Sequence, residues 1–159
     1  AGSHSVCTMG RALIHPGAPS IVPGYAELEL QFRDISDDVL DAMESVCEKL
    51  VKEISRDNGV HIKTAPSRAR ISPAHMDAGF REHFRHAAEI HAPGKWVEMP
   101  SGAFHDAGIV SSVLPSGLMF IPSIGGISHD FTENSHDTDI VRGCAVFADA
   151  VASILSSNN

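Results

Sequence analysis

Residues Tyr25–Arg33 alternate without a break: Ala26, Leu28, Leu30 and Phe32 are apolar, while Glu27, Glu29, Gln31 and Arg33 are polar. Successive side chains of a strand point to opposite faces, so this period of two predicts an antiparallel strand with one packed face and one wet face. A neighbouring element must then supply the packing. Ser36 is placed to cap a helix, and Asp37 and Asp38 suit its first turn, where acidic groups complement the helix dipole. Val39, Leu40, Met43, Val46, Cys47, Leu50, Val51 and Ile54 recur at three- and four-residue steps, which predicts an amphipathic helix ending near Asn58–Gly59. Residues 6–14 and 60–64 read as further strands, and residues 15–24, with three prolines and two glycines, read as a loop. Two strands, a helix and a strand make most of a small α+β layer in which the helix covers one sheet face.

The second half has a different pattern. A helix is expected over about residues 74–91, a strand over 95–99, a helix over about 104–113, a short buried strand over 117–121 and a last helix over about 137–155. That order suggests an α/β layer on a parallel or mixed sheet, so the fold class is α/β (α+β). His83 and His86 stand three residues apart on the second helix, but without acidic or cysteine partners nearby they read as a polar helix face. Between the halves, Pro66–Pro73 is polar and basic, with Arg68 and Arg70, and reads as a solvated hinge.

Composition removes several function classes. A formal net charge of −8 over 159 residues would be repelled by nucleic acid and by anionic membrane, so neither is expected as a partner. There is no signal-peptide pattern at the start and no apolar run near 18 residues, and the expectation is a soluble, cytoplasmic protein. Cys7, Cys47 and Cys144 are odd in number and far apart, as suits reduced thiols. The chain starts at Ala1 and enters a strand-like segment almost at once, as though cut from something longer.

Chemistry concentrates in Pro122–His136. Gly125 and Gly126 allow the backbone to turn tightly or approach a ligand closely, and Ser128 and His129 follow at once. A neutral imidazole is the commonest protein ligand for zinc, and Asp130, Glu133 or a backbone carbonyl would fix its tautomer. Upstream lies Pro100-Ser-Gly-Ala-Phe-His-Asp-Ala107. Together these segments resemble the SGAGHDA and GGISH…E segments of the zinc-dependent L-carbamoylase, β-ureidopropionase and allantoate amidohydrolase family, whose fold is of the aminoacylase and carboxypeptidase type. Thr8-Met-Gly-Arg11, Ile21-Val-Pro-Gly24 and Glu27–Arg33 are similar to that family in the same order, so the likeness covers nearly the whole chain.

The resemblance implies that residues 1–67 are the second half of a lid and dimerisation domain. Residues 68–159 would be the closing α/β portion of a metallopeptidase-like catalytic domain. It implies hydrolysis of a linear amide or carbamoyl C–N bond in a small substrate that bears a carboxylate. Two divalent ions would take part, zinc or otherwise manganese, cobalt or nickel. His129 matches the last metal-ligating histidine of the family, and the other ligands and the catalytic glutamate are expected before Ala1, so no catalytic residue is assigned here. The isolated chain is therefore expected to be inactive. Its expected partners are a second copy, through the lid, or a second chain carrying the missing segments.

Arg33 matches the arginine that grips the substrate carboxylate, and a guanidinium fork suits that task. Ser20, Ser101, Gly102, Phe104 and His105 are further substrate-contact candidates, with free N–H groups at a helix start adding attraction for an anionic or carbonyl oxygen. Asp106 and Glu133 are supporting candidates, Asp106 otherwise serving only the helix dipole. Two departures bear on the substrate. Ser20 stands where many carbamoylases have asparagine, and Phe104 replaces a glycine, so its ring either reshapes the pocket or packs inward as core. A different N-acyl amino acid or amide is accordingly one alternative, and a noncatalytic dimerisation or binding fragment is another.

Overall fold

The computed structural model describes residue 2 and residues 4–66 and 70–157. Its elements are β1 (Val6–His15), β2 (Tyr25–Arg33), α1 (Asp37–Asn58), α2 (Ala78–His91), α3 (Asp106–Val110) and α4 (Asp137–Ser157), with a single 3₁₀ turn at Ile124–Gly126. The chain divides into two compact units, Ala1–Pro73 and Ala74–Asn159. Arg68 of the expected hinge lies outside the described residues.

In the first unit β1 and β2 pair antiparallel from Val6↔Arg33 to His15↔Tyr25, with one irregularity between Met9 and Arg11. Arg11 pairs across the strands with both Glu27 (3.3 Å) and Glu29 (3.2 Å). Opposite charges on facing strands are a recognised device for holding register. The expected packed face is not packed, for Leu28 and Leu30 are 55% and 44% exposed. α1 meets β2 over a small area, and Leu40 is the buried residue of that helix. Two strands present more apolar face than one lightly docked helix can cover.

α1 ends as its sequence predicts, with Gly59 in the left-handed conformation (φ +66°). Its start differs in detail. The Ser36 side chain makes no capping bond; instead the Ser36 N–H donates to Asp34 Oδ1 (2.9 Å), and Asp34 Oδ2 accepts the Ser5 hydroxyl (2.5 Å). The Ser5 hydroxyl is the main cause that holds the Asp34 carboxyl below its ordinary value, assisted by the Ser36 and Ile35 amides and opposed by burial. A lowered folded value stabilises the fold above the ordinary carboxylate range, and that contribution fades as pH falls through the lower value. Ser5→Ala should therefore move the Asp34 midpoint upward in a carboxylate NMR titration; an unmoved midpoint would refute the role given to Ser5. Arg70 leaves the solvated role expected of it and bonds back to α1, to Asp41 and to Asp37 Oδ1 (2.9 Å) and its carbonyl (3.1 Å).

In the second unit α2 packs on α4. Ala87, Ala88, Val146 and Ala150 form the buried centre, with Phe84, Trp96 and Met119 against it. α2 begins at Ala78 rather than about residue 74, because the Asp77 side chain accepts the Phe80 N–H (2.8 Å) and sets the cap there. His83 Nδ1 meets Ser153 Oγ at 2.9 Å and His91 Nε2 meets Asp149 Oδ2 at 3.0 Å, so these two histidines tie α2 to α4, while His86 stays exposed on the polar face read for it.

Three expected strands are absent: residues 60–64, 95–99 and 117–121 carry no ladder. A strand needs a hydrogen-bonded neighbour, and none of these segments has one among the described residues. Segment 117–121 is nevertheless held closely by small residues. A Cβ on Gly117 would come within 2.9 Å of Phe84, and one on Gly143 within 2.4 Å of Ile121. Nor is the segment buried, since Leu118 and Phe120 are 37% and 52% exposed. The helix expected over 104–113 shortens to Asp106–Val110, continued by turns at residues 111–113.

The expectation about apolar length is corrected by α4. An 18-residue window of this helix has a mean hydropathy of 1.5, enough by length and composition to cross a membrane. Arg142 and Asp149 interrupt it, and Val146 and Ala150 bury against α2. Cys7, Cys47 and Cys144 are all free.

Candidate functional site

The loop after segment 117–121 is tied at several points. The Ile124 N–H donates to the Asn134 carbonyl (2.8 Å), the Ser135 hydroxyl to the Pro122 carbonyl (2.8 Å) and the Ser123 hydroxyl to the Ile127 carbonyl (2.5 Å). Gly125 and Gly126 take φ of +68° and +69°, the left-handed region that side-chain-bearing residues seldom enter. The bend read from the Gly-Gly pair is thus formed.

His129 sits beyond that bend and is exposed, with φ +58°. It is the only non-glycine residue with positive φ among those described. Such conformations are sparsely populated and cluster at functional sites. Its N–H donates to Glu133 Oε2 at 2.8 Å. Asp130 is engaged elsewhere: its Oδ1 accepts the Thr132 amide (2.9 Å) and hydroxyl (2.6 Å), which hold its carboxyl below the ordinary range. Asp130 and Glu133 therefore brace the backbone around His129, and of the three expected partners of its ring these two are engaged elsewhere.

The Ser101–Asp106 segment forms a second local constellation. Ser101 Oγ lies 2.6 Å from His105 Nε2 and accepts the Ala103 N–H (3.2 Å). The His105 ring stands 5.2 Å from that of Phe120, tilted by 54°. Phe104 is 59% exposed, so its ring does not pack as core within this chain. Asp106 occupies the first turn of α3. That helix has only five residues, so the anion-attracting helix start expected there is weak.

Arg33 and Ser20 belong to the first unit, and the other candidates to the second. Arg33, at the end of β2, directs Nε and Nη2 to Gln31 Oε1 at 3.0 and 2.8 Å, so its fork already grips one oxygen from two nitrogens. Ser20 lies exposed in the turn between β1 and β2. A shallow, open hollow of about 590 Å³ lies between the end of α1 and residues 59–62, and it contains none of these candidates.

No group of three or more His, Cys, Asp or Glu side chains among the described residues could hold a metal ion. No such group forms at His129 among the described residues, and one imidazole leaves most coordination positions unfilled. The residues present do not by themselves fit a divalent ion. Sequence reading singled out His129 and both members of the Ser101–His105 pair, but it missed their geometry. The four-residue spacing of Ser101 and His105 was the one available signal for their contact.

The two-stranded first unit and the helical second unit are those of a metallopeptidase-like α/β protein. Residues 8–153 match peptidase family M20/M25/M40, and the chain belongs to that family, whose members generally bind divalent metals. It is similar to the crystal structure of a hydantoinase/carbamoylase family amidase from Burkholderia phymatum, with a TM-score of 0.86 and 38% identity over 100% of this chain and 38% of that one. An N-carbamoyl-L-amino acid amidohydrolase from Geobacillus stearothermophilus is 26% identical, over 89% of this chain and 34% of its own length. An allantoate amidohydrolase from Escherichia coli is 26% identical, over 92% of this chain and 35% of its own length. The chain thus spans about a third of the length of the relatives it matches.

Proposed function

We propose that this chain supplies one part of a metal-dependent amidohydrolase that cleaves linear amide or carbamoyl C–N bonds in substrates bearing a carboxylate. The observation that carries this reading is His129, held at positive φ in the Gly-Gly-Ile-Ser-His loop of a chain that matches the family over residues 8–153. In this reading His129 contributes one imidazole to a pair of divalent ions, zinc foremost, and the remaining ligands and the general base come from parts of the family fold outside these 159 residues. Arg33 exchanges the Gln31 oxygen for the substrate carboxylate, a like-for-like swap for a guanidinium fork. Ser101 and His105 contact the oxygen of the scissile group. Residues 1–67 act as lid and dimer contact and residues 68–159 as the closing portion of the catalytic domain, in an aqueous cytoplasmic setting.

The exposed ring of Phe104 favours a second substrate class. An apolar surface at that position suits an N-acyl amino acid better than a small polar carbamoyl group. A substrate panel on the enzyme assembled with the remaining family segments decides between them. Preference for N-carbamoyl amino acids or allantoate supports the first reading, and preference for N-acyl amino acids supports the second. Hydrolysis that persists unchanged after chelation and dialysis would overturn the metal-dependent reading of both.

A further inference from the structure

We infer that Ser101 is a positioning residue that holds His105 in the tautomer with the proton on Nδ1, making its ring a neutral N–H donor toward the substrate oxygen. The inference rests on the amidohydrolase reading for its substrate, but its geometric basis is independent of it. The separation between Ser101 Oγ and His105 Nε2 is 2.6 Å. N–H···O bonds span about 2.7–3.2 Å, so the distance falls below the range in which Nε2–H would donate to the serine oxygen.

Proton accounting agrees. A serine hydroxyl carries one proton and two lone pairs. One lone pair of Ser101 accepts the Ala103 N–H at 3.2 Å, and Oγ also lies against His105 Nε2. If Nε2–H were the donor, the serine proton would have to find an acceptor other than His105. With Ser101 donating, the serine proton and Nε2 are both used, and the one donor left open is Nδ1–H. Nε2 is then an acceptor, the ring is uncharged and its one proton lies on Nδ1.

Two further contacts orient that proton. The ring of Phe120 flanks the imidazole at 5.2 Å, and the His105 carbonyl accepts the Gly108 N–H at 2.9 Å, which fixes the backbone where α3 begins. A neutral, oriented donor stabilises charge developing on a carbonyl oxygen without forming an ion pair with the substrate carboxylate. Ser101 acts only through His105 in this scheme.

The test is the tautomer itself, read from the imidazole nitrogens of the ¹⁵N-labelled chain by long-range ¹H–¹⁵N correlation at a pH where the ring is neutral. The expected result is a bare Nε2 and a protonated Nδ1. Ser101→Ala should return His105 to the Nε2–H form ordinary for imidazole in water, and Ser101→Thr should keep the Nδ1–H form. A protonated Nε2 in the unaltered chain overturns the inference, whether or not either variant folds. In the assembled hydrolase, Ser101→Ala should lower kcat about tenfold with KM nearly constant, and Ser101→Thr should recover most of it. An unchanged kcat beside a changed tautomer would overturn the substrate-facing half. A protein with no amidohydrolase activity would instead overturn the functional reading and leave the tautomer assignment to the spectrum.

Discussion

Ala150→Leu should lower the stability of the second unit by about 1–3 kcal/mol, the usual cost of forcing extra methylenes into a packed site. Ala150 has no exposed surface, and it lies in α4 with Val146 opposite Ala87 and Ala88 of α2, which are 2% and 8% exposed. Alanines on both helices let them approach closely, so three more carbons at Ala150 would meet the facing helix. A domain of this size shifts its melting temperature by about 4–8 °C per kcal/mol, so the effect is large on a thermal circular-dichroism curve. The control is Val141→Ala on the same helix at a position 69% exposed, which should stay within about 0.5 kcal/mol of the parent. Equal melting temperatures for Ala150→Leu and its parent would show that α2 and α4 do not pack as described.

His129→Asn should abolish hydrolysis in the assembled enzyme and reduce its bound divalent metal, while the fold is retained. Asparagine is chosen because it tolerates positive φ better than other side-chain-bearing residues, so it keeps the +58° backbone and removes only the imidazole. The Glu133 bond to the position 129 N–H is preserved in this variant, because it involves the backbone. Metal content by mass spectrometry and activity should fall together, with an unchanged circular-dichroism spectrum. Full metal content in the variant would remove His129 from the ligand set. The 159-residue chain alone should show no hydrolysis of the same substrates, because the described residues hold no group of metal donors.

Much of this was legible from periodicity. Tyr25–Arg33 forms β2 over the expected residues, and Ser36 and Gly59 flank α1. These are decisions made within one turn or one strand, by cap residues, a left-handed glycine and the alternation of side chains. The Gly125–Gly126 bend was legible for the same reason, since only glycine enters that backbone region at little cost. The short apolar segments were misjudged. Residues 60–64, 95–99 and 117–121 have strand-like composition, but a ladder requires a second segment at hydrogen-bonding distance, and composition says nothing about whether one is there.

The candidate site divides in the same way. Residue types and their order pointed to His129, Arg33 and the Ser101–His105 segment, because each carries chemistry in its own side chain. What those groups do to one another was set by turn geometry and rotamers, which residue type alone does not fix. Glu133 reaches the backbone of His129 and not its ring, Gln31 fills the fork of Arg33, and Ser101 closes on His105 with Phe120 beside the ring. The sequence by itself determined the elements whose hydrogen bonds are local, the family and the identity of the reactive side chains. Tertiary structure alone decided which strands find partners, which histidines bridge helices and which proton a ring carries, since each depends on distances between groups far apart along the chain or on the rotamers that packing selects.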